Sequence, residues 1–166
     1  MPEKKLLVDE LRLSYSGVFE VKEFYKFLDD WIDHHGKEKE IKKNNEEISE
    51  SGKNILYEIE IWSVPAEWYK QVIRVRALMS DVTEIIIEKG HGKKRMNKGN
   101  VLIIFDTFQE TDLIARWHLT PWYMFTRGVF DRFIWKVWTN KYEATAIEET
   151  NKLHAEIKSH FNTYAY

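Results

Sequence analysis

The run NILYEIEIWSVP, residues 54–65, followed by YKQVIRVRALM, residues 69–79, decides the fold class, because its apolar side chains recur every second residue. Ile55, Tyr57, Ile59 and Ile61 share one face opposite Glu58 and Glu60, and Pro65 ends that strand. In the next run Tyr69, Gln71, Ile73, Val75, Ala77 and Met79 point one way, with Lys70, Arg74 and Arg76 on the other. A third run, Val82 to Glu88, is joined through residues 89–99 to the apolar strand Val101–Phe105, so residues 54–108 read as an antiparallel meander. Ser80-Asp81 is weak turn chemistry, and residues 68–88 read equally as two strands or as one strand with a bulge.

Upstream, Leu11, Leu13 and Tyr15 alternate with Arg12, Ser14 and Ser16 until Gly17 breaks the pattern, which predicts a first strand. Val21, Phe24, Tyr25, Leu28, Trp31, Ile32 and His35 then fall at helical spacing, with Gly36 where a left-handed cap belongs. Residues 37–53 alternate Lys and Glu around Ile41 and Ile48, which predicts an exposed edge strand or a solvated loop, with Ser51-Gly52 as a turn.

Downstream, Thr120 and Pro121 suit a helix start, and the segment continues through Trp122, Val129, Phe130, Phe133, Val137 and Trp138. A second helix over about 143–161 would use Ala144, Ile147, Leu153, Ile157 and Phe161. One unbroken helix across both would run about 60 Å, more than a domain diameter, so a bend is expected near Gly128 or Asn140. The fold class expected is α+β: a meander sheet packed by an N-terminal helix and one or two C-terminal helices, forming a single domain over residues 1–166.

Composition narrows the function. The chain of 166 residues has no Cys, which excludes disulfides, thiolate metal sites and cysteine nucleophiles. Its start lacks an apolar signal stretch and no 18-residue apolar run occurs, so a cytoplasmic location is expected. Net charge is −2, so binding to nucleic acid or an anionic membrane would have to be local. Catalytic patterns are missing. No Ser lies in a nucleophile elbow, and Glu58/Glu60 and Glu46/Glu47 read as solvent-facing. Asp30/His34 and Glu156/His160 are helical i,i+4 pairs that name at most two metal ligands, so no metal site is expected and no cofactor is implied.

Two surfaces stand out. The stretch KGHGKKRMNKG, residues 89–99, carries Lys93, Lys94 and Arg95 and no acid, giving a basic hairpin that suits phosphates or simply a soluble turn. Residues 117–142 hold nine aromatic side chains, and residues 116–142 carry Arg116, Arg127, Arg132, Lys136 and Lys141. On a helical wheel Trp122, Phe130 and Phe133 fall on an arc of about 140°, while Phe125, Trp135 and Trp138 lie outside or at its margin. Trp117, Trp122, Phe125, Arg132, Trp135 and Trp138 are therefore the candidate binding residues, with self-association or a protein partner as the expected use.

The order strand, helix, antiparallel sheet and C-terminal helix resembles the START-like, or helix-grip, domains, in which a curved sheet grips a long helix around an apolar cavity. The carriers are Leu11–Tyr15, Val21–His35, residues 54–108 and the helix ending near Phe161. The chain departs from that family in having one helix after the first strand, and fewer strands. The resemblance implies an apolar ligand between sheet and helix and carries over no site residue. The expected function is thus a non-catalytic interaction module that self-associates through helix 117–142. A carrier of a hydrophobic small molecule is the alternative, and an enzyme without a recognisable motif the second.

Overall fold

The computed structural model describes residues 3–66, 68–90, 92–111 and 136–164; the side chains of residues 3, 89 and 136–139 are outside that description. In chain order the elements are β1 (Glu3–Phe19), α1 (Val21–His34), β2 (Glu38–Ser49), β3 (Gly52–Ala66), β4 (Tyr69–Lys89), β5 (Gly92–Thr111) and α2 (Lys136–Asn162). The five strands form one open sheet in the order β1-β5-β4-β3-β2, antiparallel throughout. The architecture is α+β, as the alternating runs predict.

The alternation fixes which face is buried. Ile55, Tyr57, Ile59 and Ile61 of β3 and Ile73, Val75, Ala77 and Met79 of β4 join Val101, Ile103 and Phe105 of β5 in one core. On that inner face α1 contributes Phe24, Leu28, Trp31 and Ile32, and α2 contributes Leu153, Ile157 and Phe161. A helix must bury its apolar stripe against another element, and the sheet's inner face supplies it. The end of α1 follows its sequence: Gly36 has φ 62°, and the Lys37 amide donates to the Ile32 carbonyl, closing the last turn.

The structure decides between some expectations and corrects others. Of the two readings of residues 68–88, the single bulged strand is the one found: β4 has 21 residues, with a register shift between Ser80 and Thr83 where Asp81 takes φ 55°. The bulge, not a turn, is what Ser80-Asp81 encodes. β1 runs well beyond the expected Leu11–Tyr15, with two register shifts of its own. Within 37–53 the exposed edge strand, one of the two readings, is the one found: it is β2, exposed at all 12 residues. The basic residues Lys93, Lys94 and Arg95 belong to β5, paired opposite Glu88, Ile87 and Ile86, so the 89–99 hairpin has a far shorter tip than its composition implied.

α2 passes through Asn140 without interruption as one helix of 27 residues, about 40 Å long, so no loop at Asn140-Lys141 separates two helices. Its inner stripe is Ala146, Thr150, Leu153, Ile157 and Phe161, while Ala144 and Ile147 face outward. The i, i+4, i+7, i+11, i+15 spacing of the first set meets the sheet, and no such spacing includes Ala144 or Ile147. Gly128 and the helix start at Thr120-Pro121 lie outside the described residues.

Candidate functional site

Of the candidate binding residues, Trp117, Trp122, Phe125, Arg132 and Trp135 lie outside the described residues. Trp138 stands in the first turn of α2, with its side chain outside the description. The neighbouring helix positions are placed: Asn140 and Lys141 are exposed, and the Tyr142 ring stacks on Tyr69 at 4.9 Å and meets Trp68 edge-on at 5.6 Å. Tyr142 and Glu143 are partly buried, and Ala146 is the first fully buried residue of α2 among the described side chains.

The basic positions of β5 are balanced by acids. Lys93 Nζ stands 4.0 Å from Glu88 and Lys94 Nζ 3.2 Å from Glu20. Arg95 lines a groove of about 520 Å³ together with Lys22 and Lys53 and with Glu20, Glu23, Glu46 and Glu84. With four carboxylates facing three cations, the groove is not an anion trap. Its other feature is Tyr25, whose buried hydroxyl has no hydrogen-bond partner among the described residues. Burial, reinforced by the Glu46 charge, pushes that phenol up to about 12.

A constellation that the sequence does not announce lies between the inner sheet face and the first half of α2. Gln71 and Gln109, the only glutamines in the chain, sit directly opposite each other on β4 and β5. Each donates its side-chain amide to a glutamate of α2: Gln71 to Glu149 at 2.7 Å and Gln109 to Glu143 at 2.9 Å. Glu149 also receives Lys37, whose side chain is only 5% exposed, at 2.7 Å, and the Lys37 ammonium donates to the Ser63 hydroxyl at 3.2 Å. Glu143 receives Lys5 at 3.0 Å. Between these pairs the Thr107 and Thr150 hydroxyls meet at 2.6 Å in full burial.

Low local dielectric makes a buried charge such as the Lys37 ammonium costly unless paired, and it faces Glu149; Lys5, largely exposed, faces Glu143, and each carboxylate is held by an amide as well. Two polar atoms stay over. The Tyr69 hydroxyl and Gln109 Oε1 are buried without a hydrogen-bond partner among the described residues. Burial first, then the Glu143 and Glu149 charges, raises the Tyr69 phenol, so it keeps its proton and remains a donor at neutral pH. The arrangement locks the helix to the sheet and leaves one donor and one acceptor in the interface. Because Gln71 and Gln109 are far apart in sequence, only the strand register brings them together; the rarity of glutamine in the chain was the one available signal.

Among the described residues no group of three His, Cys, Asp or Glu is placed to hold a metal ion. His160 instead stacks on Phe27 at 4.8 Å, and burial lowers its pKa against the opposing charges of Glu23 and Glu20. Glu58 and Glu60 are less exposed than their alternation implied: both are engaged by Arg74, with Glu60 at 3.0 Å. Among the described residues no helix is long and apolar enough to cross a membrane. No family model, curated protein or solved structure matches this chain.

Proposed function

We propose that the chain is a non-catalytic interaction module that associates with itself or a protein partner, with the aromatic, basic segment 117–142 as the contact element. One observation carries this reading. The segment runs into α2 at Lys136, and the first side chains of that helix that are described, Asn140 and Lys141, are exposed. Along α2 these two exposed positions precede Tyr142 and Glu143, which meet Tyr69 and Gln109 of the sheet. Trp and Arg are the residue types that anchor protein interfaces. A catalytic role draws no support from the buried polar cluster, since its ammoniums and carboxylates neutralise one another.

The test is Trp135→Ala, followed by light scattering and calorimetry. The reading expects a lower mass or lost partner binding, with less destabilisation than the roughly 3–5 kcal/mol typical of a buried large side chain. A core-sized loss at unchanged mass contradicts it. A second reading, a carrier of a small ligand between sheet and α2, is favoured by the unmatched Tyr69 hydroxyl and Gln109 Oε1 in that interface. Native mass spectrometry of protein from its own source separates the two: retained ligand supports the carrier, and a multiple of the chain mass supports the module. Membrane or nucleic-acid binding through Lys93, Lys94 and Arg95 is the less favoured use, given the facing acids.

A further inference from the structure

β2 is an edge strand of 12 residues, every one exposed, so its outer edge presents a row of backbone groups to any extended partner. Charged edges and bulges ordinarily discourage pairing. Here both features are arranged the other way. We propose that β2 is a homodimerisation edge, pairing antiparallel with β2 of a second copy about a twofold axis through Asn45. The proposal rests on the self-association proposed above, but assigns the contact to β2 rather than to segment 117–142.

Two edges related by a twofold axis perpendicular to the sheet bring together residues that lie on the same face. The β2–β3 pairing assigns those faces: Lys39, Ile41, Asn44, Glu46 and Ile48 stand opposite inner-face or same-side positions of β3, and Lys43, Asn45 and Glu47 lie on the other side. Ile41 and Ile48 are an odd seven positions apart, and in a regular strand they would face opposite ways. The register shift between Ile41 and Lys43 inserts one extra residue and brings both onto one face. With the axis at Asn45, Ile41 then meets Ile48 of the second copy, Lys43 meets Glu47, and Asn44 meets Glu46.

The two isoleucines are 50% and 86% exposed in the single chain, the latter the most exposed large apolar residue in the described structure. Lys43 and Glu47 have no ion pair among the described residues, unlike their neighbours Lys42, Lys39 and Glu46. Other registers lose this match. An axis at Asn44 sets Glu40 against Glu47 and Ile41 against Glu46; an axis at Glu46 sets Ile48 against Asn44 and Lys43 against Ser49. Opposite charges directly across strands stabilise and like charges destabilise, so the charges favour the axis at Asn45 over its two same-length neighbours. Strand addition of this size gives a weak, reversible dimer rather than an obligate one.

The test is a charge swap followed by analytical ultracentrifugation of the full chain. Lys43→Glu or Glu47→Lys alone is expected to weaken the dimer on the order of tenfold or more, because each creates two like-charge pairs related by symmetry. An equimolar mixture of the two variants is expected to dimerise again, since each supplies the charge the other lacks. Circular dichroism checks that both variants fold. A dimer unmoved by either reversal but dissolved by Trp135→Ala overturns the β2 inference and leaves the 117–142 reading standing. Loss with Lys43→Glu, recovery in the mixture and indifference to Trp135→Ala supports β2 and removes 117–142 as the contact element. A parent chain that stays monomeric at all concentrations overturns both.

Discussion

Replacing Lys37 by Met removes a buried ammonium from the centre of the sheet–α2 interface while keeping most of its apolar stem. The structure sets the size of the effect. Lys37 is 5% exposed and holds Glu149 at 2.7 Å, so its loss leaves a carboxylate with Gln71 as its remaining neighbour. Breaking a fully buried pair costs about 3–5 kcal/mol. Glu149 keeps 27% of its side chain exposed, and water screens what remains, so about 2–3 kcal/mol is expected. For a chain of this length that lowers the melting temperature by about 4–12 °C. Pairing Lys37→Met with Glu149→Met removes both charges and is expected to recover most of the loss, with a coupling of about 1–3 kcal/mol in a double-mutant cycle. Urea unfolding of the parent, both single variants and the double variant measures this. Additive losses, or a Lys37→Met cost below about 1 kcal/mol, would refute the claim that the ion pair locks α2 to the sheet.

Other features make separate predictions. Tyr69→Phe removes a buried hydroxyl that has no partner among the described residues, so it is expected to be neutral or to stabilise by about 1 kcal/mol; a loss above that by denaturant titration would mean the hydroxyl is satisfied. Gly52→Ala is expected to cost about 2 kcal/mol or more: φ is 141° there, and a Cβ would meet the Asp81 carbonyl carbon and Val82 oxygen at 2.9 Å, which unfolding of the variant checks. His160 is held below its ordinary pKa, so the unfolded chain takes up its proton first as pH falls. Stability is therefore expected to drop as pH falls below about 6.5, and His160→Leu should flatten that part of the urea midpoint against pH; an unchanged slope rejects the assignment.

The parts of this fold legible in the sequence are those governed by local periodicity. Ile55–Ile61 and Tyr69–Met79 face the core as their two-residue alternation dictates, and Gly36 closes α1 because only a left-handed residue fits there. What was not legible depends on departures from periodicity. Asp81 adopts a left-handed backbone without being glycine, so Ser80-Asp81 resembles a poor turn when it is a bulge inside one long strand. β2 exposes both faces, and a strand without a buried side leaves no alternation to read. The helix stripe was misplaced because Thr150, which is polar, is buried through its hydroxyl bond to Thr107, while the apolar Ile147 is not. The Gln71–Glu149 and Gln109–Glu143 bonds depend on the cross-strand register and on α2 crossing above it, neither of which any stretch of sequence contains.

Self-association is the central claim, and the mass of the unmodified chain in solution tests it most directly. Light scattering across a dilution series reaching tens of micromolar is expected to give a mass rising from the 20.0 kDa of one chain toward at least twice that value. A mass fixed at 20.0 kDa over the whole series would contradict the claim.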